Sequence, residues 1–139
     1  MPNRYCLKRR VQFYETDAAG IVHFSWFYRY MEEAEHALWR AAGLSIAPHD
    51  ADVGFPRVSA SFDFRRPLYF EDEFEVTIVV DEIGEKTIQY SATVTRGTTQ
   101  IATGSLTVAC VRRVPGEQMR ATPIPRDITD RLRTSDEDA

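Results

Sequence analysis

The sequence predicts an α+β domain in which an antiparallel five-stranded sheet wraps around one long central helix. Three features lead there. Helical periodicity is confined to one stretch near the start, from about residue 25 to 42. Strand-like alternation occurs once before it and four times after it. Residues 1–114 carry all of this patterning, whereas 115–139 read as a polar C-terminal extension.

In the first strand Tyr5, Leu7, Arg9, Val11 and Phe13 share a face, with Arg9 as its charged member, and Lys8, Arg10 and Gln12 point the other way. The run from Tyr14 to Gly20 then breaks the alternation with acidic and small residues, which reads as a loop. In the helical stretch Phe27, Tyr30, Met31, Ala34, Leu38, Ala41 and Ala42 form an apolar stripe, with Arg29, Glu33, His36 and Arg40 largely off it. Ser25 is the expected N-cap, and Gly43 supplies the residue after the C-cap.

Residues 44–56 contain Pro48, Gly54 and Pro56 without a period and form a connection. Alternation returns in Val58–Phe64, Phe74–Val80 and Ile88–Val94, and a last strand runs from Ile101 to about Val111. Turns at Gly84–Lys86 and Gly97–Thr99 make the last three an antiparallel meander. A short helix is expected over Arg126–Arg133, followed by a disordered acidic end. One sheet curled around one helix leaves edge strands open, so association is expected.

Composition narrows the partners. With 17 basic and 21 acidic residues the net charge is -4, the wrong sign for gripping nucleic acid. Cys6 and Cys110 lie in alternating apolar stretches, as suits a reducing compartment. No apolar leader opens the chain and no run approaches the roughly 20 residues of a membrane span, so a cytoplasmic protein is expected.

Several chemistries find no pattern here. Phosphate-loop, dinucleotide and His-Glu-x-x-His motifs are absent, and no cofactor or metal is expected. Glu32 and His36 share a helix face, but a solvated or partner-facing role suits that pair better than metal binding. The Gly104-Ser105-Leu106-Thr107 run lacks the second glycine of a nucleophile elbow. There remains Thr16-Asp17-Ala18-Ala19-Gly20-Ile21-Val22-His23-Phe24, which sets a carboxylate in a small-residue loop before the helix. By pattern alone Asp17 is a turn or capping residue, or else a base or nucleophile.

The run from Phe13 to Glu32 resembles the signature of the 4-hydroxybenzoyl-CoA thioesterase family, whose members adopt the hotdog fold. Asp17 matches the catalytic aspartate of that family, Gly20 its loop glycine and Glu32 its helix acid. Arg65-Arg66-Pro67-Leu68-Tyr69-Phe70-Glu71-Asp72-Glu73 is similar to the family's approach to its third strand, and the likeness spans about residues 5–113. The family often has Tyr or Trp at position 23, Asn or Ser at 26 and Tyr at 27, where this chain has His23, Trp26 and Phe27.

The resemblance implies an acyl-CoA thioesterase working as a homodimer or homotetramer. Asp17 would be base or nucleophile, and the Phe24 N–H would be the oxyanion donor, with Ser25 next to it. Gly20, His23, Ser25 and Trp26 would border the acyl group, while Phe27 reads as core. Arg65 and Arg66 are candidates for the CoA phosphates, along with Lys8-Arg9-Arg10 and Arg112-Arg113. A thiol of pKa ~8.5 leaves as thiolate, so one carboxylate and one oxyanion site suffice. A hotdog dehydratase using His23 and Glu32, or a module that binds acyl-CoA or an acyl-carrier protein without turnover, are the alternatives.

Overall fold

The computed structural model describes residues 3–134; the expected disordered end lies largely outside these residues. In chain order they form β1 (Arg4–Arg10), a 3-10 turn (Phe13–Glu15), α1 (Phe24–Ala41), β2 (Val53–Gly54), β3 (Arg57–Phe64) and β4 (Glu73–Ile83). There follow β5 (Thr87–Arg96), β6 (Thr99–Ala109), β7 (Val111–Arg112), β8 (Arg120–Ala121) and α2 (Arg126–Thr129). The main sheet is antiparallel and five-stranded, in the order β1-β4-β5-β6-β3. The expected meander is its β4-β5-β6 centre.

A second sheet of three short strands, β2-β7-β8, was not expected. β2 falls within the aperiodic 44–56 connection, and β7 within the run expected as one last long strand. Cys110 separates the two sheets: its N–H turns to Lys86 O (2.7 Å) and its carbonyl accepts from Thr122 N–H (2.9 Å). Two-residue strands carry too little alternation to register as a pattern.

The first strand is also shorter than expected. After Arg10 the chain leaves β4, because Val11 exchanges backbone hydrogen bonds with Asp72 O and Glu71 N–H instead (2.9 and 3.1 Å). Gln12 and Glu15 then close the 3-10 turn as a capping box.

α1 buries Phe27, Tyr30, Met31, Ala34, Leu38 and Trp39 against the concave face of the sheet. Side chains of this size contribute roughly 1.5–3 kcal/mol each on burial, which makes this seam the main support of the fold. Ala41 is exposed, and burial extends instead to Trp39, whose ring meets Phe55 at 5.1 Å. At the C-terminus the Leu44 N–H bonds Trp39 O (2.9 Å) and the Gly43 N–H bonds Arg40 O (3.0 Å), with Gly43 at φ 76°. This is a Schellman ending, and it needs the glycine.

The segment after residue 114 is less polar in its contacts than its composition suggests. Ile124, Ile128 and Leu132 join the core. No helix among the described residues is long and apolar enough to cross a membrane.

Candidate active site

The segment before α1 folds into a tight hairpin. Thr16 and Val22 bridge antiparallel, Asp17 N–H donates to Ile21 O (2.9 Å), and Gly20 N–H donates to Asp17 O (3.0 Å). Asp17 Oδ1 accepts the Ala19 N–H (2.8 Å), an Asx turn that orients the half-buried carboxylate. Gly20 closes the turn at φ 82°, a left-handed conformation that side chains resist.

Behind the hairpin, Val22 N–H donates to Leu68 O (2.9 Å), and Ile21 bridges Tyr69. That second segment is itself pinned: Arg96 donates to Pro67 O and to Asp72 Oδ2, and Tyr69 N–H donates to the same carboxylate, each at 2.9 Å. Arg65 and Arg66, both exposed, lead into it, with their N–H groups on Ile101 O. Lys8, Arg9 and Arg10 belong to β1, at the opposite sheet edge from β3, and Arg112 belongs to the small sheet. Of the basic clusters weighed, the arginine pair alone continues directly into the segment paired with the Asp17 hairpin.

The helix begins two residues earlier than a cap at Ser25 implies, at Phe24, and its N-cap is His23. His23 Nδ1 accepts from Ser25 N–H (3.3 Å) and lies 2.8 Å from Ser25 Oγ. Since Nδ1 accepts, the neutral ring carries its proton on Nε2. Trp26 N–H turns back to His23 O (3.0 Å), whereas Phe24 N–H has no acceptor among the described residues. Phe24 is therefore a free donor at the positive end of the helix dipole.

The residues expected beside the acyl group part company. Trp26 lies against Tyr14 (5.5 Å) and Tyr30 (6.3 Å). Phe24 and Ser25 instead border a cavity of about 350 Å³ between α1 and β3. Tyr28, Met31, Ala60 and Leu106 give it apolar walls, and Arg29, Glu32 and Arg57 make its polar side. Phe27 is core, as expected, packed on Phe62 and Phe64.

Two polar clusters escaped the sequence reading. In one, Arg57 binds Glu32 (3.2 Å) and the fully buried Glu35, whose ring neighbour His36 stands 3.9 Å away. Glu32 is thus an ion-pair partner, with a second arginine, Arg29, at 3.6 Å. Burial pushes the Glu35 carboxyl up despite Arg57. Burial acts against the Arg57 charge too, but Glu35 and Glu32 outweigh it and raise its pKa. In the other cluster, Glu15 is fully buried with Arg9 and Tyr30. Arg9 on an otherwise apolar strand face was the available sequence signal.

A family model for the thioesterase-like superfamily matches residues 11–132. The chain belongs to that superfamily. Among its relatives, this thioesterase-like chain is 26% identical over 131 residues to the 1,4-dihydroxy-2-naphthoyl-CoA hydrolase of Synechococcus elongatus, covering 92% of the one chain and 94% of the other. A solved protein of Aquifex aeolicus superposes with a TM-score of 0.85 at 30% identity, over 93% of this chain and 99% of that one. A gentisyl-coenzyme A thioesterase superposes at 0.80 with 28% identity, over 89% and 98%. With such neighbours, the main sheet around α1 is a hotdog thioesterase fold.

Proposed function

We propose that the protein hydrolyses an acyl-CoA thioester to the free acid and CoA, in the manner of the 4-hydroxybenzoyl-CoA thioesterases, with Asp17 as base or nucleophile. The observation that carries this reading is the hairpin itself. One short segment holds an oriented carboxylate at one end and the unbonded Phe24 N–H of a helix start at the other. An acyl carbonyl between them meets a group that can attack or activate water, and a donor for the charge that develops on oxygen. The thiolate then leaves without a general acid.

The acyl group enters the cavity bordered by Phe24 and Ser25, and the CoA phosphates meet Arg65 and Arg66. An aryl acyl group is favoured, because relatives at 26% and 28% identity are named for naphthoyl-CoA and gentisyl-CoA. The aromatic walls and polar side of the cavity suit such a ring.

The working unit is at least a homodimer. Phe13, Tyr14, Tyr69 and Phe70 surround the hairpin with exposures of 74%, 67%, 49% and 48%, and Val58 and Phe64 add to the exposed apolar surface of edge strand β3. Sedimentation at assay concentration is expected to give a dimer or tetramer; an active monomer contradicts this.

A panel of aryl, short, medium and long acyl-CoAs, assayed with a free-thiol reagent, tests the function. Aryl-CoA hydrolysis with the highest kcat/KM is expected. Binding of acyl-CoA without thiol release would point to the non-catalytic module.

A further inference from the structure

Glu15 is a fully buried carboxylate two residues before Asp17, and the proposed chemistry makes no use of it. Its contacts reach β1, both ends of the hairpin and α1. Oε1 accepts the Gln12 N–H (2.8 Å) and the Tyr30 hydroxyl (2.9 Å), and Oε2 stands 2.7 Å from a nitrogen of Arg9. The backbone carbonyl of the same residue accepts the His23 N–H (2.9 Å). One residue thus ties β1, the hairpin entrance, the hairpin exit and the interior of α1.

The partners are held in turn. Arg9 makes a two-point contact with Glu33 (2.8 and 3.3 Å) and lies over the Tyr30 ring at 4.7 Å. Burial and the Glu15 carboxylate push the Tyr30 phenol well above its ordinary range, which keeps it a hydrogen-bond donor. Stability alone is a weak reason for such a cluster, because well-packed apolar side chains of the same volume often stabilise as much as a buried ion pair. What the cluster adds is direction: Glu15 Oε1 is hydrogen-bonded to Gln12 and Tyr30, while Oε2 and the Arg9 nitrogen meet as buried opposite charges without a hydrogen bond, so that each holds the other in place.

We infer that Glu15 is a positioning residue for the reaction: with Arg9 and Tyr30 it fixes the Asp17 carboxylate against the Phe24 N–H. The inference rests on the role proposed above for Asp17. Reacting groups displaced by about 1 Å can lose on the order of a hundredfold in rate, so the position of this hairpin governs kcat far more than substrate affinity.

Glu15→Gln keeps an acceptor for Tyr30 and Gln12 but turns a donor toward Arg9; Tyr30→Phe removes only the hydroxyl and serves if the first variant folds poorly. Each is made alone and on Asp17→Asn, with kcat and KM measured below the thermal transition. A kcat loss of about tenfold or more is expected in the wild-type background, with KM within about twofold and no further kcat loss on Asp17→Asn. Near-normal kcat in folded Glu15→Gln and Tyr30→Phe overturns the inference, as does an equal fold-loss in both backgrounds, which marks a merely structural role. Should Asp17→Asn alone retain kcat, the role proposed for Asp17 fails and the inference with it; if only the Glu15 and Tyr30 variants retain kcat, the positioning role fails by itself.

Discussion

Arg57, from the edge strand β3, reaches across to Glu35, a carboxylate at the middle of α1 with no solvent exposure. The pair ties the outermost strand to the helix beside the cavity that Phe24 opens. It also extends inward, because the Tyr90 hydroxyl, which accepts Trp39 Nε1–H at 2.9 Å, faces Glu35 as well.

Since burial raises the Glu35 pKa above its ordinary 4.5, the folded state holds this proton more tightly than the unfolded chain. Its contribution to stability is therefore fully present below about pH 4.5 and declines as pH rises toward the folded pKa. Glu35→Gln removes that dependence. Urea titrations of both proteins across this range are expected to show wild type losing stability relative to the variant as pH rises; a constant difference would mean Glu35 ionises in the fold as it does unfolded.

Gly20 sits at φ 82° with nothing within 4 Å of where a Cβ would stand, so a side chain there suffers from the backbone angle and not from crowding. Gly20→Ala is expected to cost about 1 kcal/mol in urea denaturation and to lower kcat, because the turn carries Asp17. Gly20→Asn is expected to cost less, since asparagine tolerates left-handed backbone. Equal costs would place the penalty elsewhere than in φ.

Arg65 and Arg66 are exposed, and neither makes an ion pair among the described residues. If they meet the CoA phosphates, R65E/R66E raises KM more than it lowers kcat, and added salt raises KM of wild type more than that of the variant. An unchanged KM removes the pair from the binding surface.

The long elements were legible because each repeats its period several times. Phe27, Tyr30, Met31 and Leu38 at helical spacing, and Val76, Ile78 and Val80 at alternate positions, are buried as that spacing requires. What escaped depends on contacts across the chain. His23 caps the helix through a ring nitrogen, outside the usual Ser, Thr, Asp and Asn set, so residue type alone points to Ser25 instead. The small sheet joins residues 53–54, 111–112 and 120–121, each too short to show a period. In the candidate site, Asp17 and Gly20 stood out in one small-residue loop. Glu15 and Glu35 did not, since only the partners that folding brings to them, Arg9 and Arg57, distinguish them from solvated carboxylates.

The Asp17 carboxylate is the centre of the account, and Asp17→Asn tests it directly. The amide keeps the Oδ1 acceptor that Ala19 N–H uses, so the turn is expected to persist while the negative charge is lost. Measured on the best aryl-CoA substrate, kcat is expected to fall at least about a hundredfold, with thermal stability and acyl-CoA affinity nearly unchanged. A folded Asp17→Asn protein with near-wild-type kcat would contradict the account and leave Asp17 a turn residue.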